Sequence, residues 1–264
     1  MSHGIKLRES DWQKIIDQHQ KWLQSGGQAG QRADLSETNF SGRNLQGVNL
    51  EKACLRRACL EGANLRVANL KGADLREASL PKASLQWTRL MEADLEGASL
   101  KEAHLQFANF SRANLDQADM EKVFLHNAFF PEARLKEANL TKASLRFNEF
   151  YLADMRHTVL KGATITETNM REVNFSGADL SDTEIIRSDF ERADLKKAVI
   201  FRAWLFKSNF DSADFRGADL KDSKIEKCNF RMAILGEANR AGVHILDSDF
   251  QQSDLEWLNS YKQR

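Results

Sequence analysis

Only three cysteines and two prolines occur among the 264 residues, and no stretch approaches 18 consecutive apolar positions. So few cysteines exclude a disulfide-dense scaffold. The lack of a long apolar run excludes a membrane-spanning helix. No charged-then-apolar leader is visible, so a cytoplasmic location is expected. Acidic and basic residues balance at 38 each, for a net charge of zero, which argues against a nucleic-acid binder of the basic kind. Glycines within residues 31–255 stand singly, five or more apart, so there is no phosphate-cradling glycine loop.

What the chain does have is a beat of five. From Leu35 to Leu255 every fifth residue is a centre, and 44 of these 45 centres are Leu, Ile, Met or Phe, with Arg240 the exception. Two positions before the centre stands Ala in 28 repeats and Ser, Thr, Cys or Val in 15, leaving only Arg43 and Asn148 outside a small-residue rule. A helix needs apolar spacing near 3.6 and a strand near 2, so neither accounts for the pattern. Self-similarity at a fixed period predicts a stacked repeat architecture. Each repeat has room for a short extended side and a two-residue turn. Pro81 and Pro131 directly follow a centre, and nine of the ten glycines of the region come one step later. Those are the second and third places of a β-turn. Glu, Lys or Arg fills the glycine place in most repeats, so one turn type throughout is not required.

A weaker period sets the size of a coil. Every fourth centre from Phe110 reads Phe110, Phe130, Phe150, Met170, Phe190, Phe210, Phe230 and Phe250. Like residues therefore recur at twenty. Four sides of five residues predict a roughly square coil and about eleven coils over the 225 residues. Leucines and phenylalanines ladder inside, with small residues filling the gaps, because overpacking so narrow a bore costs about 1–3 kcal/mol per site.

Segments such as ANLRV (63–67), ADLRE (73–77) and ADLKD (218–222) carry the motif A(D/N)LXX, by which the chain resembles the pentapeptide-repeat proteins over about 85% of its length. The resemblance implies an all-β solenoid, a right-handed quadrilateral β-helix. It implies less about function; the best understood members inhibit or protect DNA gyrase by resembling a DNA duplex.

A stacked coil leaves open ends that need caps. Three segments are expected: an N-terminal capping helix and linker (1–30), the repeat β-helix (31–255) and a short C-terminal cap (256–264). Ser10 and Gln13 form a capping-box pattern, and Trp12, Ile15, Ile16, His19, Trp22 and Leu23 share one face of a helix predicted over 11–24, ended by Gly26 and Gly27. The same face would also suit a partner or a membrane surface. At the other end Trp257, Leu258 and Tyr261 make a thin lid, and a homodimer joined through the C-terminal coils is expected there.

Cys54 and Cys59 are read as outward on diverging sides and Cys228 as inward, so neither a disulfide nor a metal site is expected. His104 and His126 fall near one another on one edge without a Cys or carboxylate partner. A gapless surface offers no concave site; no catalytic residue, cofactor or metal is expected.

Two outward features remain. On the first side the position before the centre carries Asp34, Asp74, Asp94, Asp154, Asp194, Asp214 and Asp254, an acidic stripe that could mimic a duplex and engage gyrase or could simply support the backbone. Arg56, Arg76, Lys136, Arg156, Lys196 and Arg216 lie beside it and would neutralise its field within about 8–10 Å. The other feature is aromatic. Trp87, Phe107 and Phe147, with Val67, share a turn column between the third and fourth sides, flanked by Phe124, Phe129, Tyr151 and Leu152; Trp204 and Phe206, with Val199 and Phe201, form a second group. Such density is the composition of an interface, or of external ladders that stiffen the coil. The expectation drawn is a non-catalytic scaffold offering this aromatic side to a partner protein as yet unnamed, with no direct contact to nucleic acid or membrane.

Overall fold

The computed structural model describes residues 7–253. The chain divides into two compact units, Met1–Arg134 and Leu135–Arg264. Both are parallel β-solenoids, and the first carries one helix. Among the described residues no helix is long and apolar enough to cross a membrane. The expected C-terminal cap, with Trp257, Leu258 and Tyr261, lies outside the described residues, as do Asp254 and Leu255.

In the first unit parallel bridges link residues twenty apart in four columns, beginning with Asp34↔Cys54, Asn39↔Cys59, Asn44↔Asn64 and Asn49↔Asn69. The main-chain donors of a repeat can be followed one by one. The Leu35 N–H reaches the Cys54 carbonyl at 2.7 Å, Glu37 reaches Arg56 at 2.9 Å, and Cys54 reaches back to Ala33 at 2.9 Å. The small residue Thr38 closes a turn on the Leu35 carbonyl at 3.2 Å. One donor is left, that of Ser36, and the Asp34 carboxylate takes it at 3.1 Å. Asn39, Asn44, Asn49 and Asn69 do the same for the residue two places on. An Asp or Asn before the centre thus supplies the one acceptor that the stacked main chain lacks.

The turn residue two after the centre has φ near +50 to +70° in every described repeat, whether it is Gly42, Glu37, Arg57 or Trp87. Turn geometry is uniform even where the side chain is not glycine. Centres and small residues are buried along most of both units, with Val48, Ala238, Arg240, Ile245 and Ser248 half-buried. Phe110 stacks on Phe130 with ring centres 4.7 Å apart.

Helix α1 spans Glu9–Gln24, two residues earlier than the sequence suggests. The capping box is not formed. The N-cap is Arg8 and no side chain caps the end, because the Arg8 guanidinium bonds the Asp11 carboxylate at 2.8 Å and draws the first turn forward. Ser10 therefore lies inside the helix. The predicted apolar face holds: Trp12 and His19 are buried, and Ile15, Ile16, Trp22 and Leu23 half-buried. Trp12 meets Phe40 edge-on at 5.4 Å. Arg43, a departure from the small-residue rule, lies over Trp12 at 4.9 Å and pairs with Glu9 at 2.5 Å, so its size serves α1.

The second unit repeats the ladder, with bridges such as Asp154↔Asn174 and Asn209↔Asn229. Its phenylalanines stack at twenty as well: Phe190 on Phe210 at 5.1 Å, Phe210 on Phe230 at 4.8 Å and Phe230 on Phe250 at 4.9 Å. In the third column of centres, three-residue strands appear. The first unit ends with one, β1 (Phe124–His126); the second contains β2 (Ser144–Arg146), β3 (Thr164–Thr166), β4 (Glu184–Ile186), β5 (Trp204–Phe206), β6 (Lys224–Glu226) and β7 (His244–Leu246). β2 to β7 pair in order and in parallel, with Leu145, Ile165, Ile185, Leu205, Ile225 and Ile245 in register.

After these strands the small residue's N–H finds a different acceptor. Asn148 donates to Thr168 Oγ1 at 3.4 Å, Thr168 to Ser188 Oγ at 3.2 Å, Ser188 to Ser208 Oγ at 3.1 Å and Cys228 to Ser248 Oγ at 3.0 Å. Each hydroxyl in turn donates to a carbonyl two residues before it, as Ser188 does to Ile186 at 3.0 Å. A buried hydroxyl ladder replaces the turn bond, which is why Ser and Thr displace Ala in this column.

Candidate functional site

The aromatic residues of the first unit form paired, open rings. Trp87 and Phe107 occupy the positive-φ turn place in consecutive coils, so twenty residues bring them into register. Their rings stack at 4.1 Å with 4° between the planes. Trp87 nonetheless stays 53% exposed. Phe107 also meets the His126 ring edge-on at 6.0 Å, and Phe124 stacks on His104 at 5.2 Å. Phe124 and Phe129 remain 45% and 47% exposed, and Val67 is exposed at the end of the column. The two histidines that fall on one edge in sequence therefore each take a phenylalanine. Among the described residues no group of three or more His, Cys, Asp or Glu could hold a metal.

The wall carrying these rings has no carboxylate. Its outward positions are Asn64, Arg66, Val67 and Asn69 in one coil, then Ser84, Gln86, Trp87 and Arg89, and onward to Phe129; sixteen positions hold two arginines and no Asp or Glu. Arg66 and Arg89 are exposed and have no ion pair among the described residues. The side-chain oxygens of Gln86 and Gln106 are buried beside the stacked rings without a hydrogen-bond partner. The amides do not stand out in sequence, and His104 and His126 stand out there only as neighbours of one another, not as partners of the phenylalanines. The twenty-residue offset is the signal that pairs them.

In the second unit cations lie over three of the phenylalanine rings. Phe147 is 37% exposed under the Arg146 guanidinium at 4.7 Å. Trp204 and Phe206, on β5, are half-buried with ring centres 5.4 Å apart. Lys207 lies over Phe206 at 5.1 Å, and Arg202 over Phe201 at 4.6 Å. Tyr151, Leu152 and Val199 are exposed.

The acidic column is bound up in its own main chain and its basic neighbours. Asp74 pairs with Arg76 at 2.5 Å, and Arg76 also lies 3.5 Å from Asp94. Asp94 accepts the Glu96 N–H and the Asn114 amide. Asp154 pairs with Arg156 at 2.5 Å, Asp194 with Lys196 at 2.9 Å, and Asp214 with Arg216 at 2.6 Å. The Arg76 side chain holds the Asp74 carboxyl below its ordinary range. For Asp214, burial pushes upward, but the Arg216 side chain and N–H with the Lys196 charge outweigh it and the net shift is down.

Of the cysteines, Cys54 is half-buried and Cys228 buried, as the sequence suggests. Cys59, expected to face outward, is buried, its sulfur 3.0 Å from the Ser41 hydroxyl; outward positions next to an adjoining coil's side chain can still lose their solvent. The surface is not wholly without concavity. A crevice of about 240 Å³ between α1 and the first coil is lined by Lys14, Ile15, Gln18, Arg32 and Asp34.

The family model for pentapeptide repeats matches in eight copies between residues 31 and 231. No curated protein matches the chain. Among solved structures, the chain is 26% identical to HetL, a pentapeptide repeat protein involved in heterocyst differentiation regulation from the cyanobacterium Nostoc sp. strain PCC 7120, over 87% of this chain and 92% of that one, with a TM-score of 0.44. QnrB1, a plasmid-mediated fluoroquinolone resistance protein, is 13% identical over 81% of this chain and 90% of its own, with a TM-score of 0.35. A pentapeptide repeat protein of the Arabidopsis thaliana thylakoid lumen is 33% identical over 42% of this chain and 67% of its own, with a TM-score of 0.21. With the five-residue beat, the twenty-residue ladder and the family match in agreement over most of its length, the chain belongs to the pentapeptide-repeat family.

Proposed function

We propose that this protein is a non-catalytic, cytoplasmic scaffold that binds a partner protein through the aromatic wall of its first unit. Its repeats are taken as a right-handed quadrilateral β-helix of about eleven coils, given twenty residues per coil over 225 residues. The observation that carries the reading is the stacked Trp87–Phe107 pair, exposed on a wall free of carboxylates. Exposed Trp, Phe and Arg together make the composition of interface hot spots. The unpaired Arg66 and Arg89 suit a partner that brings carboxylates around an apolar stripe. Phe147 and Phe206 contribute less, since Arg146 and Lys207 already lie over their rings, and Trp204 is half-buried against Phe206.

A DNA-mimicking surface that binds DNA gyrase through Asp74, Asp94, Asp154, Asp194 and Asp214 has less support, because each of these carboxylates serves the main chain and most are neutralised in place. The two readings separate by experiment. Proteins retained by the wild-type chain from a lysate of the source organism are compared with those retained by a W87S/F107S/F129S variant of unchanged circular dichroism. A partner lost with the three rings, and held at raised salt, is the expected result. A partner kept by the variant and released by salt would overturn the reading in favour of the acidic column.

A further inference from the structure

His19 ties α1 to the first coil. It has no accessible surface, and its Nδ1 accepts the Ala33 main-chain N–H at 3.1 Å. That bond assigns the neutral ring with its proton on Nε2. Nε2 itself is buried with no hydrogen-bond partner among the described residues, and Trp22 stacks against the ring at 5.8 Å. Few other polar bonds hold the helix down: the Gln31 N–H to the Gln18 carbonyl at 3.1 Å, and the Arg43–Glu9 pair.

A second proton on the imidazole has to go to Nδ1. There it would face the Ala33 N–H, two donors in one place, so the docked ring cannot accept it and keep the bond. The charged groups acting on the ring are Arg32, which opposes a positive charge, and Glu51, which favours one through its carboxylate and main chain; burial is the largest influence and keeps the docked imidazole below its ordinary value.

We propose that His19 is a proton-operated latch: at acidic pH its protonation releases α1 from the first coil and uncovers Trp12, Phe40 and the coil's free edge. The sign follows from which form takes the proton. The undocked ring titrates near 6.5 and the docked ring lower. Docking is therefore at full strength above about pH 6.5, and as pH falls through that value toward the docked one the opening equilibrium grows by up to about tenfold per unit. The Asp11 carboxyl, held below its ordinary range chiefly by its hydrogen bond from the Arg8 side chain, lies outside this window.

The test is amide exchange of the full chain read by mass spectrometry from about pH 8 to about pH 5, corrected for intrinsic exchange. Protection of α1 and residues 31–40 should fall by up to about tenfold per unit below about pH 6.5, while residues 60–100 keep theirs. H19N places a non-titrating acceptor where Nδ1 sits and should abolish the dependence. No acid-induced loss in the wild type, or the same loss in H19N, overturns the latch. If H19N does not dock at any pH, the wild type decides: Trp12 and His19 ring resonances that titrate together support the latch, and a Trp12 resonance unchanged through the His19 titration overturns it.

Discussion

One oxygen of the Asp74 carboxylate accepts the Arg76 main-chain N–H at 3.2 Å, while the same carboxylate holds the Arg76 guanidinium at 2.8 and 2.5 Å. The two interactions can be separated by substitution. D74N keeps an oxygen for the main-chain donor and loses the ion pair, and exposed ion pairs are worth about 0–1 kcal/mol. D74A loses both and leaves the turn donor to water, a cost of about 0.5–1.5 kcal/mol. Urea unfolding should therefore rank wild type close to D74N and both above D74A. The reverse order, with D74N the weaker, would make charge rather than backbone support the reason for the column.

The same carboxylates give stability a pH dependence of known sign. Asp74 and Asp34 sit below their ordinary values when folded, Asp74 chiefly through the Arg76 side chain and Asp34 chiefly through the Ser36 hydroxyl. Their contribution is complete above the unfolded carboxylate value near 3.9 and is lost as pH falls through the lower folded values. The thermal midpoint should be flat across neutral pH and decline below about pH 4. In D74N the decline should be shallower.

In the second unit Ser188 Oγ takes the Thr168 N–H at 3.2 Å and donates to the Ile186 carbonyl at 3.0 Å. S188A conserves the small volume and removes the acceptor, leaving a buried N–H unpaired at a cost of about 1–3 kcal/mol. S188T retains the hydroxyl and should cost less. A control at Ser212, a half-buried turn residue, should shift the urea midpoint little when changed to Ala. An S188A variant as stable as the wild type would mean that the Thr168 N–H recloses its turn on the Ile165 carbonyl.

How far the chain can be read without coordinates depends on which property a position selects. Selection for apolar volume is legible, so the centres from Leu35 to Leu235 and the phenylalanine stack from Phe110 fall inside as the beat requires. Selection for a lone acceptor is half legible: Asp34 and Asn39 are seen to recur, but their bond to the residue two places on is seen only with the main chain traced. Size alone hides Ser188 among the alanines, because a hydroxyl and a methyl of similar volume obey the same rule. Arg43 breaks that rule for a neighbour distant in sequence, Trp12. On the aromatic wall the faces of Trp87 and Phe107 were legible and the choice of His104 as partner for Phe124 was not.

Gly30 makes a prediction about the cap. Its φ is +77°, and a Cβ there would lie 2.3 Å from the Gln18 carbonyl and 2.6 Å from the Trp22 nitrogen, both main-chain atoms of α1. Gly42 and Gly62 also have positive φ but open space around the Cβ position. G42A should therefore pay only for the left-handed backbone, about 1 kcal/mol. G30A must push the linker off the helix. It should raise exchange in α1 and redden the emission of Trp12 and Trp22, with the coils from residue 60 onward unchanged by circular dichroism.

The thiols provide a check on the inward and outward assignments. Burial pushes the Cys228 thiol up to about 11, so at neutral pH it holds almost no thiolate, the nucleophilic form. Its sulfur is further engaged with the Glu226 carbonyl at 3.3 Å. Cys54 is half-buried and reaches solvent, while Cys59 is buried against Ser41. A maleimide added to the native chain at neutral pH should label Cys54 first, Cys59 far more slowly and Cys228 only on unfolding. Raising the pH toward 11 should not rescue Cys228 unless the coil opens, since access as well as ionisation limits it. Labelling of Cys228 in the folded protein at the rate of Cys54 would place that column of small residues on the outside, and with it the assignment of every centre to the bore.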